Sequence, residues 1–503
     1  MANYKFLYFA ISLFFICLWR NIDAMTSDIV IGREEEKKLL EELLYSGEAE
    51  LIAIYGRRRV GKTYLIRNFY QKYLAFEFTG VHEASLRNQL QNFSLALQQA
   101  MNSPIPPAPP GNWIQAFQFL ISFLQTKIDK EPVVLLFDEL PWIHTPKSGF
   151  LPAFGLWWNS WASRQRLLKV VICGSAASWM IKNVINDRGG LHNRVSRKIR
   201  LLPFTLGEAA SFLQHRGIRL DAYQQLQLYM AVGGIPQYLK QVSKGESAVQ
   251  AIDKICFGKT GMLLTEFKEL YKSLFDQADR HESIVRALSK KPAGMSRAEI
   301  MKATGFTTGG GVTELLQELE ESGFITQHIS FNRVLRDSIY KLSDEYSLFY
   351  LRFIEQNRNS GSGTWLRLST TQSYKTWSGF AFEAVCLKHI AQIKQALGIA
   401  GVQTTASAWR YVPVKEETGA QIDLLIDRKD QCINLCEIKF STGEFVIDKK
   451  YAAELDQKVK VFTEKAQPRK TIFPTMITTY GVKQNDYYTG RVQAEIKMEQ
   501  LFT

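Results

Sequence analysis

Apolar and polar positions fall into two kinds of block along this chain. Nearly unbroken apolar runs at residues 51–55, 133–137 and 167–173 have the length of strands buried on both faces. Between them lie stretches of helical period. Leu39, Leu40, Leu43 and Leu44 make one stripe, residues 83–101 read as a Leu- and Gln-rich helix, and residues 113–128 as an amphipathic one. Residues 74–81 alternate like a strand, and Pro104-Ile-Pro-Pro-Ala-Pro-Pro-Gly predicts a stiff loop. The pattern is that of an α/β domain with a parallel sheet.

Further along, a helix over residues 221–232 ends at Gly233-Gly234-Ile235-Pro236. Between residues 279 and 342 the pattern shortens. Helices beginning near His281, Ser296 and Gly311 are followed by alternating runs at 324–330 and 338–342, the order of a winged helix. From about Ser373 an apolar helix at 379–390 carries one internal acid, Glu383, and two strands follow at 419–427 and 433–440. The expected division is an α/β core at 25–205, a helical lid at 206–275, a winged helix at 276–360 and a separate α/β domain at 373–503.

Composition narrows this only a little. At 503 residues and 46% hydrophobic the chain buries several cores, and domains of roughly 100 to 200 residues suggest three or so. The net charge of +13 suits an acidic partner such as DNA or RNA, but soluble ATPases are also often basic. Six scattered cysteines exclude a disulfide scaffold and fit a reducing cytoplasm; Cys432 and Cys436 lack the second pair that a zinc site requires. The apolar run at residues 6–18 is shorter than the roughly 20 residues of a membrane span, so no stable span is expected. An over-extended start, with Met25 as the ordinary one, is the expected reading of residues 1–24. A membrane tether or an exported leader remain the alternatives.

The candidate chemistry begins at the end of the first strand. Gly56, Arg57, Arg58, Arg59, Val60, Gly61, Lys62 and Thr63 fit G-x-x-x-x-G-K-[ST], with Tyr64 continuing into a helix. Amides of such a loop and the helix N-terminus point at phosphate oxygens. Lys62 would reach the β/γ-phosphates of ATP, and the Thr63 hydroxyl would hold Mg²⁺. The strand at 133–137 delivers Asp138 and Glu139 at its C-terminal end, where ligands bind in open α/β sheets. Asp138 is expected in the Mg²⁺ shell, and Glu139 as the group polarising the attacking water. Arg194 is a candidate for a charge-neutralising arginine, in cis or in trans, and the second case would require a homo-oligomer; a solvated basic face explains the same residues.

Residues 28–250 resemble the archaeal-type ATPase family, AAA-like proteins close to the signal-transduction ATPases. The carriers are Ile31-Gly-Arg-Glu, Gly56-Arg-Arg-Arg-Val-Gly-Lys-Thr, Leu136-Phe-Asp-Glu, Cys173-Gly-Ser, Leu202-Pro-Phe and Gly233-Gly-Ile-Pro-Gln-Tyr-Leu. The resemblance implies that Ile31, Gly32 and Arg33 pack against the adenine. It also implies that Ser175 senses the γ-phosphate and that Pro236 belongs to the lid beside the nucleotide.

The C-terminal strands carry a second constellation. Thirteen residues separate Asp423 from Glu437-Ile-Lys439, so the two acids lie on neighbouring strands and Glu437 and Lys439 share one face. Acids and a lysine so placed gather a divalent metal, with Asp423 and Glu437 as ligands, and polarise water for phosphodiester attack. Together with Glu383 this resembles the PD-(D/E)xK nuclease family, an α/β restriction-endonuclease-like fold; Ile422 stands where that family usually has proline. In the expected winged helix, the third helix carries Glu314, Glu318, Glu320 and Glu321, which disfavours a major groove. A protein partner is therefore the first reading, with Arg333 and Arg336 as the contacts if DNA binds.

The expectation is an Mg²⁺-ATP hydrolase coupled to a nuclease-like domain acting on nucleic acid. The alternative is a regulatory nucleotide switch that recruits a protein partner and carries an inactive nuclease fold.

Overall fold

The structure is a computed structural model describing residues 29–503, except 146, 187–188, 308–309, 330, 333–337 and 414–417. The N-terminal apolar run and the wing arginines Arg333 and Arg336 lie outside the described residues. The chain divides into two compact units. One comprises the described residues up to 54 with 61–174 and 183–199; the other comprises 55–60, 175–182 and 200–503.

The first unit is built on a five-stranded sheet of β1 (Glu50–Tyr55), β2 (Leu74–Thr79), β3 (Val133–Asp138), β4 (Leu168–Gly174) and β5 (Arg197–Arg200), in the order β2-β3-β4-β1-β5. β2 pairs with β3, and β3 with β4, in parallel. The apolar runs are buried as their unbroken character requires: Leu51–Ile54, Val134–Phe137 and Val170–Cys173 are all fully buried. Helix Glu34–Leu44 lays Leu40, Leu43 and Leu44 inward, while Leu39, the fourth member of the stripe read from its spacing, is only half-buried. The helices Leu86–Met101, Trp113–Gln125 and Phe150–Ser160 bring an aromatic layer against the strands. Phe117 and Trp157 stack at 5.1 Å, and Phe137 of β3 meets Phe154 edge-on at 5.5 Å.

The second unit contains helices Leu206–His215, Ala222–Val232, Ala248–Phe257 and Glu266–Leu274. Thr205 and Asp221 cap the first two, and Gly233 ends the second at φ 70°. Helices Ala278–Ser289, Arg297–Thr304 and Gly310–Glu321 accompany a small antiparallel sheet of β6 (Met295–Ser296), β7 (Ile325–His328) and β8 (Ile339–Leu342), in the order β6-β8-β7. Helix Gln372–Lys388 is seven residues longer at its start than the apolar pattern suggests, because Thr371 caps it and Tyr374, Trp377 and Ser378 are buried. A mixed sheet follows: β9 (Thr404–Tyr411), β10 (Ala420–Arg428), β11 (Cys432–Lys439), β12 (Thr471–Thr478) and β13 (Ala494–Lys497). β9, β10 and β11 are antiparallel neighbours, whereas β11, β12 and β13 run parallel. Helix Lys449–Ala466 makes the crossover between β11 and β12, placing Val461 and Phe462 against Trp409, Ile422, Leu425 and Leu435.

Inside this unit, the Leu206 N–H donates to His389 Nε2 at 2.8 Å, and His389 Nδ1–H donates to the Val385 carbonyl at 2.7 Å. Both ring nitrogens are thus committed with the imidazole neutral, and burial pushes its pKa down to about 4. The unfolded chain takes up a proton below about pH 6.5, and the folded chain not until about pH 4. Stability is therefore complete above the unfolded value and falls as pH drops through this window. Urea unfolding at pH 7 and pH 5 should show the wild type losing ~2 kcal/mol more than His389→Gln. Equal losses in both proteins would remove His389 as the source.

Candidate active site

β1 ends at Tyr55, and the chain turns through the glycine loop into helix Lys62–Phe69. Gly56 is required by two things at once. Its φ is 147°, and a Cβ there would stand 2.3 Å from the Leu201 carbonyl oxygen. Arg59 and Gly61 also take positive φ, 72° and 94°, which curls the loop before the helix begins. Lys62 is 5% exposed at the helix start, Thr63 half-buried, Tyr64 exposed.

The loop's end and the acidic strand meet in the first unit. Thr63 Oγ1 donates to Asp138 Oδ2 at 2.8 Å, 75 residues away in sequence. Asp138 is 5% exposed, and its Oδ1 has no hydrogen-bond partner among the described residues. Burial raises the Asp138 pKa and Glu139 repels it further, while the Thr63 hydroxyl and the Lys62 ammonium pull it down; the net direction is up. A buried carboxylate oxygen without a partner beside a hydroxyl is a hard-oxygen pair that fits Mg²⁺. Glu139 follows at φ 49°, half-buried, where the chain turns sharply out of β3.

The other residues singled out in the N-terminal half are placed as follows. Gly32 and Arg33 both have positive φ, 66° and 63°, and lead into helix Glu34–Leu44; Arg33 is 5% exposed and lies 3.6 Å from Glu36, and Ile31 is half-buried. Ser175 is buried directly after β4. Arg194 is exposed in the turn before β5. Pro236 is the first residue of the short helix Pro236–Leu239.

The loop arginines part company. Arg58 is exposed, but Arg57 and Arg59 find acids within the second unit. Arg57 is buried in an ion pair with Asp344, and its guanidinium lies 4.8 Å from the Phe324 ring centre. Burial works against the Arg57 charge, yet Asp344 holds its pKa up; burial would raise Asp344, but Arg57 and Ser347 bring it below the usual carboxylate range. Arg59 holds Glu266 through two nitrogens, at 2.8 and 2.9 Å. The motif gives no hint of either acid, which lie over 200 residues away.

The C-terminal constellation also assembles. Asp423 on β10 accepts from the Ile438 N–H at 3.1 Å, so it lies beside Glu437 on β11. Glu437 is 1% exposed. Its Oε2 accepts from Lys458 at 2.6 Å and from the Tyr451 hydroxyl at 3.3 Å, and lies 3.5 Å from Lys439, while Oε1 is unpartnered among the described residues. Burial raises the Glu437 pKa and Asp423 adds repulsion, outweighing the two lysines. Glu383 is paired with Lys341 of β8 at 2.8 Å; burial raises its pKa, and Asp423 adds to the shift. Lys341 and Tyr451 carry no motif and could not be found by spacing. Among the described residues no three His, Cys, Asp or Glu side chains converge as a ligand set, so a cation here would rest on Asp423, Glu437 and water.

The acids of helix Gly310–Glu321 are less solvated than their pattern suggests. Glu318 accepts from His281 at 2.7 Å, Glu320 from the Gln327 N–H at 3.3 Å, and Glu321 lies 3.6 Å from Arg200. Glu314 remains exposed, 3.7 Å from Lys182. The five described cysteines are free, and among the described residues no helix is long and apolar enough to cross a membrane.

Residues 31–242 match a family model described as an ATPase domain predominantly from Archaea. The chain is 23% identical over 435 residues to the uncharacterized protein MJECL04 of Methanocaldococcus jannaschii, covering 86% of this chain and 92% of that one. A 39-residue stretch is 51% identical to an uncharacterized ATP-binding protein of the same organism, 8% of this chain and 66% of the relative. Among solved structures, the Walker-type ATPase PABY2304 of Pyrococcus abyssi is 17% identical, covering 64% of this chain and 96% of its own, with a TM-score of 0.46. The first half of the chain, over residues 31–242, carries an archaeal-type ATPase domain.

Proposed function

We propose that this protein is an Mg²⁺-dependent ATP hydrolase of the cytoplasm whose nucleotide state acts on its C-terminal regions. The observation that carries the reading is the Thr63–Asp138 hydrogen bond, with the second Asp138 oxygen buried and unpartnered. Mg²⁺ bound to Thr63 Oγ1 and Asp138 would neutralise phosphate charge. Lys62 draws the β/γ-phosphates, and the loop amides from Gly56 to Thr63 fix their position. Glu139 orients and polarises the attacking water, Arg194 offsets charge at the transferred group, and Ser175 senses the γ-phosphate. Ile31, Gly32 and Arg33 hold the adenine, and Pro236 belongs to a lid spanning residues 206–275. Glu139→Gln should lower ATP turnover by about 10²–10⁴-fold with nucleotide still bound, and Lys62→Ala should abolish tight ATP binding. Wild-type turnover in Glu139→Gln would retire the water-polarising role.

The nucleotide state reaches the C-terminal regions through the loop arginines. Arg57 and Arg59 pair with Asp344 and Glu266, so a shift of the loop backbone is felt at both acids. Arg57→Ala leaves Asp344 buried and uncompensated, at a cost of about 3–5 kcal/mol. Adding Asp344→Asn should return part of that. A double-mutant cycle by denaturant unfolding that gives no coupling would break the link.

We read residues 276–360 as a winged helix serving a protein partner, and residues 373–503 as a PD-(D/E)xK nuclease-like domain. A specific observation favours an active site there: Asp423, Glu437 and Lys439 lie together, and the buried Glu437 keeps one oxygen unpartnered. Plasmid, linear DNA and RNA incubated with Mg²⁺ or Mn²⁺ should be cleaved by the wild type and left whole by Asp423→Ala and Lys439→Ala. Nucleic acid left intact under both metals supports the alternative, a nucleotide switch with an inactive nuclease fold.

A further inference from the structure

One opening in the second unit reaches the C-terminal constellation only at Glu383 and its partner Lys341. It is a cavity of about 590 Å³ between the β7–β8 hairpin, the helix Ala278–Ser289 and the helix Gln372–Lys388. That volume lies in the range of small-molecule pockets, roughly 300 to 1,000 Å³. Its walls are unevenly charged: Arg286, Lys290, Lys341, Arg352 and Lys388 stand against only Glu355 and Glu383.

The pairing inside the cavity deepens the imbalance. Arg286 grips both oxygens of Glu355, at 2.8 and 2.6 Å, and Lys341 takes Glu383. Lys388 pairs behind the wall with Glu345 at 2.7 Å. Arg352 has Ser373 Oγ at 3.0 Å but no carboxylate among the described residues, and Lys290 is exposed and likewise without one. Two cations thus remain uncompensated at one opening.

Two buried ring nitrogens in the same lining also lack partners. Trp377 is 7% exposed, and its indole N–H has no acceptor among the described residues; neither does His328 Nε2 have a partner. Burial pushes the His328 pKa down to about 4, so that nitrogen is uncharged near neutral pH and free to accept or donate. Buried polar atoms are nearly always satisfied, by protein, water or a ligand. Beside them, Phe380 leaves an aromatic face 46% exposed on the wall.

We propose that this cavity binds a nucleotide, its phosphate on Arg352 and Lys290 and its base against Phe380. The phosphate is drawn by charge, and the base gains from stacking, which tolerates any ring. The nucleotide is either free or the unpaired end of a strand; the chemistry is shared, and the test separates the two. This site is independent of the one at Lys62; it shares Glu383, but neither Asp423 nor Glu437, with the C-terminal constellation.

The test uses the full chain carrying Lys62→Ala, so that nucleotide retained is not held by the glycine loop. Equilibrium dialysis is run with AMP and, separately, with a short 5′-phosphorylated oligothymidylate. Retention of AMP, weakened about tenfold by Arg352→Gln and again by Phe380→Ala, supports a free nucleotide. Retention of the oligothymidylate alone, with the same sensitivity, supports the end of a strand. Both side chains sit at an open wall, and unchanged melting temperatures would exclude misfolding. Binding of neither probe, or binding indifferent to both substitutions, overturns the proposal. The ATPase reading fails by a different result, unaltered ATP turnover in Lys62→Ala.

Discussion

A guanidinium cannot be buried without a partner, and in this protein that constraint falls on the glycine loop itself. Arg57 is 1% and Asp344 3% exposed at their side chains, so each is the other's nearest counter-charge out of water. The acid is held in turn by the Ser347 N–H and hydroxyl at 2.9 and 2.6 Å, and Ser347 by the Tyr271 hydroxyl at 3.1 Å. Phe324 covers the guanidinium from one side. The result is a loop whose opening residues are anchored by charge to a distant segment, while its closing Lys62 and Thr63 turn toward Asp138.

Close packing imposes a second constraint around the same loop. The segment that carries Leu202-Pro203-Phe204 passes Gly56 with the Leu201 carbonyl, and passes Gly234 with Phe204, whose carbonyl would lie 2.0 Å from a Cβ on Gly234. Leu201 N–H donates to the Tyr55 carbonyl at 2.8 Å, and Phe204 N–H to the Gly234 carbonyl at 2.7 Å. Three motifs that are far apart in the chain therefore touch through backbone. Glycine stands at both crossings because a side chain would occupy the space of a carbonyl oxygen. This explains the Gly233-Gly234 pair more directly than helix termination does, since Gly233 alone ends the helix.

The C-terminal acids show how burial and charge share a site. Glu437 and Glu383 each sit with a lysine at hydrogen-bond distance, yet burial and the nearby Asp423 keep both pKa values raised. Lysines from the crossover helix and from β8 thus neutralise the cluster while leaving one Glu437 oxygen unpartnered.

The local pattern was enough for much of this protein. The runs at 51–55, 133–137 and 167–173 had to be buried strands, since no solvated face could accept them. The glycine loop, Asp138, and the pairing of Asp423 with Glu437 followed from period and spacing, which are properties of neighbouring residues. The helix starts at Asp221 and Ser296 were equally local. Only the tertiary structure could decide where buried charge finds its partner: Arg57 with Asp344, Arg59 with Glu266, Lys341 with Glu383. Those pairs span 42 to 287 positions in the chain, and Coulomb attraction leaves no periodic trace along it. The strands β9, β12 and β13 also needed the fold, because their mixed sequences become strands only when a neighbouring edge offers its hydrogen bonds.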